Sequence, residues 1–161
     1  MELGSSITCA KHLGGVESIR LVSAVDIEAV EYDPTQRLFS GLRLREGSDF
    51  AEVLFADGGA CFEERVEADG TVSHHLSFRM QGLEREAADR LCGLSVDGVV
   101  AVVGLPEGEK LLVGYSPEAA ADYPLRLSLA VLSSAQSRVQ RASTTLTLSS
   151  TDGSLACHYE E

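Results

Sequence analysis

The sequence is short of several residue types, and each shortage argues against a class of protein. It has no Trp, only four Tyr and only five Phe in 161 residues, whereas a sugar-binding platform needs exposed aromatic rings. Lys and Arg number 13 against 25 Asp and Glu, a net charge of -12. This balance argues against the cationic face that binds nucleic acid or an anionic membrane.

Long apolar runs are also missing. The longest, Val99 to Leu105, has the size of a strand and contains Gly104, whereas a membrane-spanning helix needs about 20 apolar residues. The first 15 residues carry Glu2 where a signal peptide is positive, and they lack an apolar core. We therefore expect a cytoplasmic protein. The four cysteines are widely spaced, so reduced thiols are expected: Cys9, Cys61, Cys92 and Cys157.

What the sequence does contain is alternation of apolar and polar residues with period two, which is typical of strands with one buried face. It runs through residues 17–30, 37–45, 71–80, 125–131 and 144–148. The first of these predicts one long strand, or two with a bend. Further strands are predicted from Phe50 to Phe55 and from Ala60 to Glu67. Turn residues separate the strands at Asp33-Pro34, Asp57-Gly58-Gly59 and Asp69-Gly70, and Asp-Gly is a strong hairpin signal. The pattern predicts a meander of antiparallel strands.

One helix interrupts the strands. Leu83, Ala87 and Leu91 recur at spacing four, acidic residues occupy the first turn, and Gly93 is placed for a C-cap. A buried hairpin is expected from Val99 to Tyr115, and the order Ser116-Pro117-Glu118 predicts a single helical turn. Eight to ten short strands and one flanking helix predict a single domain, residues 1–161. Its fold class is an antiparallel β-sandwich or β-barrel, with residues 1–15 as a candidate extended N-terminal segment.

The sequence yields no catalytic, cofactor-binding or metal residue. His74 and His75 are adjacent in a strand and point to opposite faces, so they cannot converge on one ion. His74 is predicted to be a half-buried core histidine and His75 a surface one. Cys9 with His12 and Cys157 with His158 make a zinc site only if the termini meet; the alternative is small buried or terminal thiols. The acidic pairs Glu63-Glu64 and Glu84/Glu86 are predicted to be solvated. Neither a nucleophile elbow nor a phosphate loop is present.

Charge is unevenly distributed along the chain. Residues 46–70 hold eight acidic residues against Arg65 alone, whereas residues 123–151 hold no acid and three arginines, Arg126, Arg138 and Arg141. Of the 22 residues from 133 to 154, 11 are Ser or Thr. A solvated surface explains each residue singly. Together, an acidic and a basic region suit a heterologous contact, in which one subunit's patch meets a different patch on the next.

Three stretches resemble a known group of proteins. They are the C-x-x-x-x-G-G-V run at Cys9 to Val16, the segment KLLVGYSPEAAADYPLRLSL, and TTLTLSSTDGSLA. With the helix between two blocks of strands, they resemble small structural proteins of Bacteroides-type prophages, similar to phage tail tube or related tail proteins. This resemblance implies a non-enzymatic virion protein that forms hexameric rings, which stack into a tube with an acidic lumen for DNA.

Other roles stay open at this level. A head-tail connector or a tail terminator suits the same length, and a β-sandwich module that binds a carbohydrate or peptide is the alternative from another class. On the phage hypothesis the partners are further copies and other tail proteins, DNA passes without specific binding, and the protein leaves the cytoplasm only within the virion. No cofactor, membrane or small-molecule substrate is expected.

Overall fold

The computed structural model describes residues 15–134 and 141–161, and these form a mainly β fold with one α-helix. Strands make up 52% of it. The strands are β1 (Ser18–Ser23), β2 (Ile27–Asp33), β3 (Leu38–Leu44), β4 (Ala51–Glu52), β5 (Ala60–Val66), β6 (Val72–Gln81), β7 (Val99–Gly104), β8 (Lys110–Val113), β9 (Arg126–Ser133), β10 (Ser143–Asp152) and β11 (Cys157–Tyr159). The helix α1 is Arg85–Asp97, and short 3-10 turns lie at Ala24–Asp26 and Pro106–Gly108.

The strands form two sheets. One has seven strands in the order β2-β3-β11-β8-β7-β1-β4, and the other has four in the order β5-β6-β10-β9. Neither is closed into a barrel, so of the two predicted architectures the structure is consistent with the sandwich. The count exceeds the eight to ten predicted strands because β4 and β11 have only two and three residues, too few to show a period.

Strand β7 is an internal strand of the seven-stranded sheet and is buried on both faces. Val99, Ala101 and Val103 pack toward the four-stranded sheet and the helix, whereas Val100 and Val102 belong to a second core. A strand covered on both faces is apolar throughout rather than alternating. This explains why residues 99–103 read as a continuous apolar run.

The second core exists because the seven-stranded sheet curls. Only Ala24–Asp26 separates β1 from β2, yet these strands are five positions apart in the sheet, about 24 Å if it were flat. The sheet must therefore bend until its ends approach each other. Phe39 of β3 and Leu112 of β8 lie with Val100 in the resulting concave core.

Several turns have the predicted chemistry. In the β5–β6 hairpin, the Asp69 carboxylate accepts hydrogen bonds from the Thr71 backbone N–H at 3.0 Å and hydroxyl at 2.7 Å. These bonds lower the pKa of Asp69 below its ordinary value. In the β2–β3 turn, Asp33 accepts from the Thr35 N–H at 2.9 Å. The β7–β8 hairpin also forms as predicted.

The predicted meander is wrong on one side of Asp57-Gly58. Of the expected strand at residues 50–55, only β4 forms, and it pairs with β1 rather than with β5. The turn itself is present, since Gly59 N–H donates to the Ala56 carbonyl at 2.7 Å. This turn carries the chain from one sheet to the other. The residues before it belong to the seven-stranded sheet, because the Val53 N–H donates to the Ile19 carbonyl of β1 at 2.9 Å.

The predicted helical turn after Ser116 forms only as an isolated turn. The Ser116 hydroxyl accepts the Ala119 N–H at 3.1 Å, as an N-cap does. The backbones of Ser116 and Ala120 then bond to each other in both directions, at 3.0 and 2.9 Å. The chain closes on itself here, with Ala120 at a φ of 49°, and does not continue as a helix.

The helix ends five residues later than the sequence predicts. Gly93 lies inside α1, and the C-cap is Gly98, with a φ of 86°. Leu94 continues the apolar face formed by Leu91 and packs against the core, which offsets the cost of an interior glycine. The helix end is satisfied by Arg126, whose guanidinium donates to the carbonyls of Ser95 and Val96 at 3.2 and 2.7 Å.

The two glycines therefore respond oppositely to alanine. Gly93→Ala adds a methyl group in open space within a helix and is expected to stabilise the protein by about 0.5 to 1 kcal/mol. Gly98→Ala places Cβ 2.2 Å from Pro124 Cγ at a positive φ and is expected to destabilise it by about 2 kcal/mol or more. Urea unfolding of both variants measures this, and a stabilised Gly98→Ala protein contradicts the assigned helix end.

Candidate assembly surface

The four-stranded sheet brings the two charged segments of the sequence to its opposite edges. Strand β5 forms one edge and carries Glu63 and Glu64, with Glu67 just beyond it. Strand β9 forms the other edge, lies in the acid-free segment and begins with Arg126. The sequence predicted an acidic and a basic patch. The sequence does not predict that the acidic and basic patches occupy the two edges of one sheet, because strand order depends on contacts between distant segments.

Strand β9 is exposed over most of its length. The side chains of Leu129, Val131 and Leu132 are 53%, 46% and 36% exposed. Within the described residues β9 pairs only with β10, and only its first residues are covered, where the Leu127 N–H donates to the Ser95 hydroxyl at 2.6 Å. An open edge with large apolar side chains is a template for pairing with another chain.

The outward face of the same sheet is rich in hydroxyl groups that bond to one another. Ser77 and Thr147 lie 2.7 Å apart across β6 and β10. The Ser149 hydroxyl lies 2.9 Å from His75 Nδ1 and 2.8 Å from the Ser128 hydroxyl. The hydroxyl-rich stretch of the sequence thus forms a face between the two edges, and His75 is exposed on it, as predicted.

His74 points to the opposite face and is 3% exposed, so it is fully rather than half buried. Its Nδ1 lies 3.2 Å from the Ser150 hydroxyl. Its Nε2 lies 3.1 Å from Glu64 Oε2, without the angle of a hydrogen bond, and its ring stacks on Phe62 at 6.4 Å between centroids. The same Glu64 oxygen accepts the Ala156 N–H at 2.7 Å.

A hydroxyl, an imidazole and a carboxylate in this order are also the groups of a nucleophilic triad. Here, however, the imidazole is buried, and neither of the two best-defined clefts among the described residues is lined by any of the three side chains. The arrangement instead joins β5, β6 and β10 to the segment before β11. Glu64 is therefore not the purely solvated residue that the sequence predicted, whereas Glu63 is exposed and paired with Arg65 at 2.9 Å.

A cleft of about 350 Å³ lies between the helix and the β4 region. Its walls are mainly apolar and its rim is charged, with Glu52, Glu84 and Arg90. Glu84, predicted to be solvated, is exposed there, and its N–H is held by the Thr144 hydroxyl at 2.9 Å. The wall residues include Leu21, Val53, Phe78, Met80, Leu91 and Leu146.

The cysteines in the described part of the chain are free thiols. Cys61 and Cys92 are exposed, and Cys157 is buried, which raises the pKa of its thiol above the ordinary value. Cys9 and His12 lie outside the described residues, so the zinc hypothesis that needs them stays a hypothesis. Among residues 15–134 and 141–161, no three His, Cys, Asp or Glu side chains are grouped for a metal ion.

The same described residues include no helix with the length and apolar character to cross a membrane. Compared with known proteins, the chain matches no protein-family model, no curated protein and no solved structure.

The contact between Glu64, His74 and Ala156 predicts a difference between two neighbouring glutamates. Glu64→Ala leaves the Ala156 N–H without its acceptor and removes the carboxylate beside the buried His74 imidazole. It is expected to cost about 2 kcal/mol of unfolding free energy. Glu63→Ala removes only an exposed ion pair and is expected to change stability by about 0.5 kcal/mol or less. Urea denaturation of the two variants tests this, and equal losses contradict the bridging role of Glu64.

Proposed function

We propose that the protein is a non-enzymatic structural subunit that assembles with copies of itself, in the manner of the phage tail tube and related tail proteins that its sequence resembles. The observation that carries the proposal is the placement of an acidic strand, β5, and an acid-free, apolar strand, β9, at the two edges of one sheet. Edge-to-edge pairing of these strands continues the sheet from one copy into the next.

The directions of the strands suit such pairing. Successive strands in the order β5-β6-β10-β9 are antiparallel, so β5 and β9 also run in opposite directions. A copy displaced along the sheet brings its β5 antiparallel to β9 of its neighbour. The two strands have seven and eight residues, so their lengths match as well.

Charge and burial favour this contact over pairing of like edges. Residues 46–70 have a local balance of eight acids against one base, and the segment that contains β9 has no acid. Two β5 edges repel each other, whereas β5 and β9 attract. Pairing also covers one side of Leu129 and Val131, and each CH2 group that it buries contributes about 0.8 kcal/mol.

A contact between two different patches is heterologous, so it closes into a ring or extends as a filament. In the tail-tube form of the proposal, six copies close a ring and the rings stack. The net charge of -12 then keeps DNA from adhering to the lumen. A connector or terminator role uses the same edge contact without extended stacking.

A lysine on the open edge tests the proposal. Val131→Lys places a charge on β9 and is expected to weaken self-association at least tenfold, as edge lysines do, because it also removes apolar contact area. Thr145→Lys is the matched control: Thr145 is the register partner of Val131 on β10, on the same face but away from the edge.

Sedimentation velocity over a series of protein and salt concentrations, with electron microscopy of the largest species, measures the effect. The wild type and Thr145→Lys are expected to associate alike, more weakly at high salt. A wild type that stays monomeric at every concentration, or a Val131→Lys variant that associates as well as the control, overturns the proposal.

The apolar cleft supports a second candidate, the ligand-binding module. Its one aromatic side chain, Phe78, is 2% exposed, so the cleft offers no ring on which a sugar can stack. An apolar peptide side chain fits it better than a carbohydrate. Thermal-shift screening with glycans and short peptides separates the candidates, because only a binding module gains stability from one of them.

A further inference from the structure

The last strand of the sequence, β11, occupies an internal position in the seven-stranded sheet. It pairs in parallel with β3, where Tyr159 is opposite Phe39, and antiparallel with β8, where Cys157 is opposite Leu112. Without β11, the pair β2–β3 is separated from the block β8-β7-β1-β4. The three residues of β11 therefore fill a gap between β3 and β8, which we call the slot. Backbone N–H and C=O groups of β3 and β8 line this slot and hydrogen-bond to β11.

The slot recognises β11 through contacts that do not depend on which molecule supplies the strand. Cys157 is 4% exposed and lies in the concave core with Phe39 and Leu112. The Glu160 N–H donates to the Phe39 carbonyl at 2.9 Å.

Acidic groups fix the two ends of the strand. The Glu161 carboxylate pairs with Arg20 and, at 3.5 Å, with Lys110. Before the strand, Glu64 accepts the Ala156 N–H at 2.7 Å. The slot thus binds an apolar side chain, an extended backbone and an acidic residue that follows the strand. Any copy of this chain presents these three features.

The connection to β11 is short. Strand β10 ends at Asp152 in the four-stranded sheet, and β11 begins at Cys157 in the other sheet. Five peptide links reach at most about 17 Å, packed sheets lie about 10 Å apart, and bends at Gly153 and Ser154 use part of that length. A hinge with so little slack favours exchange of the element that it carries.

We propose that β11 is exchanged between copies, so that in the assembled protein the slot between β3 and β8 holds the β11 of a neighbouring copy. The proposal rests on the proposed self-assembly, because it requires a second copy, but the strand pairing that it uses is with β3 and β8 rather than along the β5 and β9 edges. An isolated copy fills the slot with its own strand, as in the structure described above.

Two single-cysteine chains test the exchange. In a background of Cys9→Ser, Cys61→Ser, Cys92→Ser and Cys157→Ala, one chain carries Leu111→Cys and the other carries His158→Cys. These positions are register partners between β8 and β11, at a spacing that a disulfide spans. Because each chain has one cysteine, a heterodimeric disulfide forms only when β11 of one copy lies in the slot of the other.

The chains are refolded together, concentrated, oxidised and separated by non-reducing electrophoresis. With random exchange, up to about half of the Leu111→Cys chains are expected in the mixed disulfide. Each chain oxidised alone gives the background. A mixed band no stronger than that background, in a sample that sediments as assembled, overturns the proposal. If Leu111→Cys does not fold, Leu38→Cys, the parallel partner of His158, is used with a short bismaleimide.

Changing the hinge gives a second, independent readout. Deleting Gly153 and Ser154 prevents a chain from reaching its own slot and is expected to raise the cross-linked fraction. A Gly-Ser-Gly-Ser insertion between them is expected to lower it to background. The same insertion after Gly47, an exposed loop position with open space around it, is the control and leaves cross-linking unchanged. If neither the deletion nor the insertion changes the cross-linked fraction, the proposal is overturned.

The edge variant distinguishes this proposal from the proposed function. In the Val131→Lys background, cross-links that persist support strand exchange while edge pairing is lost. Absence of cross-links in a protein with an unmodified edge that still assembles overturns strand exchange and leaves edge pairing standing.

Discussion

The burial of β7 from both sides is the constraint on which the other elements depend. A central strand with no exposed face needs two covers, and the chain supplies them differently. The four-stranded sheet and the helix cover Val99, Ala101 and Val103, whereas the curled end of the strand's own sheet covers Val100 and Val102. The four-stranded sheet keeps two edge strands, β5 and β9, and these edges are where the proposed assembly takes place.

Much of this could be read from the sequence, for a physical reason. Strand identity, the Asp69-Gly70 and Asp33 turns and the existence of one helix depend on local periodicity and local hydrogen bonds. These properties are visible within a window of a few residues. The helix end was missed because Gly93 and Gly98 are both plausible stops, and the choice depends on Leu94 packing on the core and on Arg126, 28 positions beyond Gly98 in the chain.

The surfaces could be predicted only in part. The split between acidic and basic segments is a property of the sequence, but their placement on β5 and β9 depends on pairing between strands that are distant in the chain. The role of Glu64 depends likewise on Ala156, 92 positions away. Strand β11 has three residues and no period, so its insertion between β3 and β8 leaves no local signature.

The contacts of Arg126 have a mechanical consequence. Its guanidinium holds the last carbonyls of the helix, and the next residue, Leu127, bonds to Ser95. The beginning of the open edge strand and the end of the helix are thus tied together at three points. The helix also forms one wall of the apolar cleft. These three hydrogen bonds therefore join the start of the open edge strand to an element that borders the cleft.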